Sequence, residues 1–141
     1  MNVNEINCYL NGLFDTASSV SVWMGPSYVC AKAFENGGFF AGFYEHYRLD
    51  PDVLAETAQT LDGFLKLWFG DEENSDKKIN RSLCYHMEKY LGKAEKVYFA
   101  KEDFLPKLEK KNSPVPFTFV EDMAAVRFEK YTVCFVLGNN E

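Results

Sequence analysis

Residues 34–48 read FENGGFFAGFYEHYR, and the predicted fold depends on this stretch. The Asn-Gly-Gly tripeptide at residues 36–38 tolerates the positive φ angles that short hairpin loops require. The densest aromatic run of the chain follows directly after it. We therefore predict a β-hairpin at the middle of a sheet, with residues 28–35 and 39–48 as its two strands.

Both faces of the predicted return strand are apolar near the turn, which implies a strand covered on both sides or a partly exposed aromatic patch. In a strand, Glu45 and His46 point to opposite faces and form no catalytic dyad. His46 shares its face with Tyr44 and Arg48, and these three side chains can bind an anion or move a proton. The alternative is a solvent-facing strand end without a site.

The remaining elements follow from hydrophobic periodicity. Asp50-Pro51-Asp52 is a good helix start, with a capping aspartate and proline at the first helical position. Residues 129–130 interrupt the apolar pattern and indicate a turn or bulge, although one long bent strand fits as well. The predicted helices are 4–14, 53–69, one from 74 or 75 to Gly92, and 103–110; the predicted strands, besides the hairpin, are 20–24, 97–99 and up to three between 117 and 137.

Runs of strands separated from runs of helices favour an α+β fold. We expect residues 1–141 to form a single compact domain, with a mainly antiparallel sheet of about five to six strands packed against three or four helices. No apolar run approaches the roughly 20 residues that span a membrane. Because residues 1–5 also lack a signal-peptide pattern, we expect a cytoplasmic protein that does not insert into membranes.

The four cysteines, Cys8, Cys30, Cys84 and Cys134, are far apart and lie within apolar patterns. Zinc sites show short ligand spacings, and secreted disulfide-rich proteins are denser in cysteine. We therefore predict buried free thiols in a reducing compartment. The two histidines, His46 and His86, show no metal-ligand spacing, so the sequence predicts no metal site.

The sequence contains no phosphate-binding loop, no dinucleotide fingerprint, no serine-hydrolase elbow and no zinc-protease motif. It therefore predicts no cofactor and gives no clear sign of an enzyme. One alternative is a small hydrolase or transferase that uses His46 with Tyr44, Arg48 or a cysteine. Another is a small-ligand pocket between the helices and the aromatic sheet.

The net charge of −6 argues against nucleic-acid binding, which needs a basic surface. Acidic residues concentrate in one run, Asp71, Glu72, Glu73 and Asp76. A small acidic chain without a catalytic signature has the general character of bacterial immunity proteins and antitoxins, which often neutralise basic nuclease toxins. By this analogy of type we predict a non-enzymatic inhibitor that binds a partner protein through the acidic run and through Tyr44, His46 and Arg48.

Overall fold

The computed structural model describes residues 2–21, 24–70, 77–101 and 115–140. Its helices are α1 (Val3–Val20), α2 (Phe39–Tyr47), α3 (Leu61–Phe69) and α4 (Lys77–Leu91), and its strands are β1 (Tyr28–Glu35), β2 (Leu54–Glu56), β3 (Lys96–Ala100), β4 (Phe119–Arg127) and β5 (Tyr131–Asn139). Short 3-10 turns at Asn36–Gly38 and Pro51–Val53 precede α2 and β2. Among the described residues, no helix is long and apolar enough to cross a membrane.

The five strands form one antiparallel sheet in the order β1-β5-β4-β3-β2, which confirms the predicted α+β class. Residues 124–137 belong to two strands rather than one. They are joined by the predicted turn, where the amide of Phe128 donates to the carbonyl of Tyr131 at 2.7 Å. A bulge between Val120 and Asp122 shifts the register of β4 against β5.

Side chains pack on both faces of the sheet, which explains why β5 is apolar at almost every position. Helices α1, α3 and α4 cover the first face, where Phe14 and Phe64 meet Phe135 at ring-centroid distances of 5.1 and 5.2 Å. Helix α2, the turn at Pro51–Val53 and residues 115–117 cover the second face. The second face is the one that positions the candidate site.

Helix α1 runs along the outer edge of β1 and satisfies part of its backbone. The Asn7 side chain accepts from the amide of Ala33 at 2.6 Å and donates to the Ala33 carbonyl at 3.1 Å. Near the other end of the helix, the Ser18 hydroxyl accepts from the amide of Val29 at 3.0 Å. Since unpaired strand edges invite association, these contacts protect the edge of the sheet.

Several predicted boundaries are wrong, and each error has a local cause. The single helix predicted for residues 53–69 is interrupted, because the backbone of Leu54–Glu56 pairs with β3 instead. Helix α3 begins later, where the Thr60 hydroxyl accepts from the amide of Gly63 at 3.0 Å. Helix α4 ends before Gly92 as predicted, and this glycine has a φ of 86°.

Helix α1 extends to Val20, beyond the predicted end at residue 14, and so includes the first residue of the strand predicted for 20–24. Met24 lies in a turn, and no strand is present among the described residues of that segment. The strand predicted at residues 97–99 is confirmed within β3. The helix predicted for residues 103–110 lies outside the described residues.

Candidate functional site

Residues 39–47 form helix α2, so the predicted return strand, and with it the hairpin, is wrong. The cause is a four-residue period that the alternating pattern concealed, since Phe39, Phe43 and Tyr47 lie on one helical face. Their rings pack in sequence at centroid distances of 5.5 and 4.8 Å, and Phe39 also contacts Phe34 of β1 at 5.8 Å. This aromatic row anchors α2 to the second face of the sheet.

The first end of α2 is fixed by side-chain hydrogen bonds and the second by backbone conformation. The 3-10 turn at Asn36–Gly38 replaces the predicted hairpin loop, and the Asn36 side chain donates to the carbonyls of Phe128 and Glu129 at 2.9 and 3.2 Å. The helix ends at Arg48, whose left-handed φ of 59° terminates it and whose amide donates to the Tyr44 carbonyl at 2.8 Å. Such a left-handed residue is a common helix ending.

The outward face of α2 carries two large exposed aromatic side chains. Phe40 is 63% exposed and Tyr44, one turn later, is 49% exposed. Arg48 is exposed one further turn along the chain. We call Phe40, Tyr44 and Arg48 the α2 ridge. Because the opposite face of the helix is buried, the ridge is presented on a rigid support rather than on a loop.

His46 lies on another side of α2, in an open groove between this helix, β1 and the start of α1. The groove has a volume of about 490 Å³, and Lys32, Glu35 and Glu45 also line it. The His46 ring packs on Phe34 and Tyr47 at centroid distances of 6.0 and 4.7 Å. Partial burial lowers the pKa of His46, and the nearby charge of Lys32 lowers that pKa further.

The predicted separation of Glu45 from His46 is wrong, and so is the predicted grouping of Tyr44, His46 and Arg48 on one strand face. Successive helical residues are about 100° apart, so Glu45 and His46 line the same groove. Residues two positions apart are about 200° apart, which places His46 away from Tyr44. The structure shows no hydrogen bond between Glu45 and His46, both of which it describes.

The acidic run predicted to bind a partner, Asp71, Glu72, Glu73 and Asp76, lies outside the described residues. Of the other members of the predicted site, Tyr44 is exposed on α2 and Arg48 is exposed at the residue that ends the helix. Phe40 is absent from the predicted site because both faces of the predicted strand are apolar near the turn, so the pattern does not mark Phe40 as exposed. Helical periodicity over residues 39–47 separates the inward-facing positions 39, 43 and 47 from the exposed positions 40 and 44.

The thiols are free, and three of them are poorly suited to nucleophilic chemistry. Burial raises the pKa of Cys30 and of Cys84 to about 11, and it raises the pKa of the fully buried Cys134 as well. The thiolate is the reactive form, so these side chains are almost entirely protonated at neutral pH. Cys8 is exposed on α1, contrary to the predicted burial of all four cysteines.

His86 lies half-buried in an aromatic cluster between α1 and α4. Its ring contacts Tyr85 and Tyr9 at centroid distances of 5.2 and 6.4 Å. Its Nδ1 atom is buried and has no hydrogen-bond partner among the described residues. No group of three or more metal-binding side chains occurs in residues 2–21, 24–70, 77–101 and 115–140.

No protein-family model, no curated protein and no solved structure shows significant similarity to the chain. A functional assignment therefore depends on the chemistry and geometry of its own surface.

Proposed function

We propose that this chain is a non-enzymatic protein-binding domain that neutralises a basic partner protein, such as a toxin nuclease, in the bacterial cytoplasm. The observation that supports this proposal best is the α2 ridge, where Phe40 and Tyr44 are exposed side by side on a firmly anchored helix. Single exposed apolar residues are ordinary, whereas an aromatic pair beside an arginine has the composition of a binding hot spot.

The ridge offers enough contact surface to dominate an interface. Burying a phenylalanine side chain is worth about 1.5–3 kcal/mol, and tyrosine adds a hydroxyl that can find a polar partner. Because Phe39, Phe43 and Tyr47 already fix the helix, little ordering entropy opposes binding. We therefore expect the ridge to enter an apolar pocket of the partner as a preformed unit.

The charge of the chain supports a basic partner. The net charge is −6, and the exposed acidic residues Glu45, Asp50 and Asp52 lie close to the ridge in sequence. Opposite charges around an apolar centre increase the association rate and help to exclude wrong partners. The acidic run Asp71, Glu72, Glu73 and Asp76 belongs to the same proposal as a second contact region.

The test compares proteins captured by three immobilised forms of the chain. The first is the wild type, and the second is the double variant Phe40→Ala, Tyr44→Ala. The third is a matched control, Leu67→Ala, Tyr85→Ala, which removes side chains that are 55% and 62% exposed on α3 and α4. We expect quantitative mass spectrometry to find a basic protein that the wild type and control retain and the ridge variant loses at least about tenfold.

The captured partner is then purified and titrated with the chain. The proposal requires stoichiometric loss of the partner's activity and binding that weakens with salt. The triple variant Asp71→Asn, Glu72→Gln, Glu73→Gln should slow association and flatten this salt dependence. Equal capture by the wild type and the ridge variant, or a partner whose activity is unchanged at saturation, would contradict the proposed function.

A further inference from the structure

A second site lies on the same face of the sheet as α2, beside the turn between β4 and β5. It is a cleft of about 210 Å³ whose walls include the apolar side chains of Phe39, Leu54 and Ala125. Tyr98 and Arg127 also line it. The cleft thus combines apolar walls with a phenol and a guanidinium, the usual pattern of a small-molecule site.

Arg127 lines the cleft, and the sheet register places it directly opposite a second cation, Lys96, which is not part of the cleft wall. Lys96 of β3 pairs with Arg127 of β4, and the neighbouring pair is Tyr98 with Ala125. Strand alternation puts Lys96 and Arg127 on the face that carries Tyr98 and Ala125. Like charges directly opposite each other are normally destabilising, so each of these cations needs an anionic neighbour.

Each cation has a carboxylate neighbour, but neither pair is buried. Lys96 forms an ion pair with Glu56, and the hydrogen bond within that pair raises the pKa of Lys96. The Nε atom of Arg127 lies 3.8 Å from Glu95, and both side chains are about half exposed (51% and 48%). Exposed pairs of this kind are weak, so a bound anion can share the arginine at little cost.

Two polar residues of the cleft are already engaged in the fold. The Asn36 amide group donates to the carbonyls of Phe128 and Glu129, and its oxygen accepts from the Thr132 hydroxyl at 2.6 Å. Arg127 is therefore the group best placed to bind a ligand's charge. A guanidinium binds a carboxylate through two parallel hydrogen bonds, which would leave the ligand's body against the apolar walls.

We propose that this cleft binds a small organic carboxylate with an apolar body about the size of one aromatic ring. The volume corresponds to roughly seven water molecules, which suits a ligand of about ten non-hydrogen atoms. This inference is independent of the partner-binding function, because neither Phe40 nor Tyr44 lines the cleft.

The test titrates the full-length chain with benzoate and follows its backbone amides by ¹H–¹⁵N NMR. We expect shifts concentrated at Leu54, Ala125 and Arg127, with saturation below about 10 mM. Benzamide has the same ring without the charge and should bind at least about tenfold more weakly. Equal binding of both probes, or no saturable shift with benzoate, would overturn the proposal.

Two variants separate the charge from the shape of the cleft. Arg127→Gln should weaken benzoate binding at least about tenfold, whereas Lys130→Gln, an exposed lysine in the adjacent turn, should leave it unchanged. Leu54→Phe should fill the cleft and abolish binding while the NMR spectrum stays that of a folded protein. If Arg127→Gln or Leu54→Phe binds benzoate as the wild type does, the carboxylate is not in this cleft.

Discussion

At Gly42, helix α2 approaches β1 so closely that a side chain would not fit without rearrangement. A Cβ atom placed on Gly42 would lie 2.9 Å from Cδ1 of Phe34, a ring held in the second core. Gly12 of α1 is the opposite case, since a Cβ atom there would meet nothing within 4 Å. Replacing glycine by alanine is therefore expected to have opposite effects on stability at Gly42 and at Gly12.

We predict that Gly42→Ala destabilises the protein by about 1–3 kcal/mol, because the buried Phe34 ring must move. Gly12→Ala should stabilise it by about 0.5–1 kcal/mol, because alanine restricts the unfolded chain and favours the helix. Urea unfolding of the two variants and the wild type measures both changes. Equal stabilisation by the two substitutions would show that α2 does not contact Phe34 as described.

At the scale of whole elements, the sequence predicts well where long-range pairing and local preference agree. The apolar stripe of α4 and the alternation in β3 lead to correct elements. The sequence-based prediction fails at α2, because a glycine-containing turn and an aromatic run suit a strand as well as a helix. Phe43 and Tyr47 pack against the sheet at the four-residue spacing of a helix, a period that the alternating apolar pattern conceals.

The predicted helix at residues 53–69 failed for a related reason. A short 3-10 turn does begin at Pro51, where the Val53 amide donates to the Asp50 carbonyl at 3.2 Å, but the Asp50 side chain makes no capping hydrogen bond. The next residues then meet the free edge of β3, and sheet pairing replaces the helix. The candidate site has the same limit: the strand pattern groups Tyr44 with His46, whereas the helix puts His46 in a separate groove and leaves Phe40 and Tyr44 exposed one turn apart.

Helix α1 and strand β1 depend on each other through side chains that replace a neighbouring strand. We predict that Asn7→Ala destabilises the protein by about 1–3 kcal/mol, because both backbone groups of Ala33 lose a partner at a partly buried edge. Asn11→Ala, at an exposed position of the same helix, should change the unfolding free energy by less than about 0.5 kcal/mol.

Hydrogen exchange locates the Asn7 effect within the sheet. The Ala33 amide should exchange faster in Asn7→Ala, whereas the amide of Lys32, on the side of β1 that faces β5, should keep its protection until the protein unfolds globally. If Asn7→Ala and Asn11→Ala have the same stability and the same Ala33 exchange rate, α1 does not protect this edge.

On the scale of the whole molecule, packed side chains cover both faces of the sheet. The reactivity of each thiol measures how well its position is covered. Cys134 of β5 is buried in the second core, and Cys30 and Cys84 are half-buried on opposite sides of the sheet. Only Cys8 is exposed. Reaction with a thiol reagent therefore distinguishes the surface from the interior without any substitution in the core.

We predict that one of the four thiols, Cys8, reacts rapidly with a thiol reagent in the native protein at about pH 8. With a pKa of about 11, Cys30 and Cys84 carry roughly one thiolate per thousand molecules at that pH, and burial also restricts the reagent's access. Cys134 should be labelled at the rate of global opening, so urea should accelerate its labelling in parallel with unfolding. Cys8→Ser should remove the rapid phase, and a second rapidly reacting thiol would show that one of the cores is open to solvent.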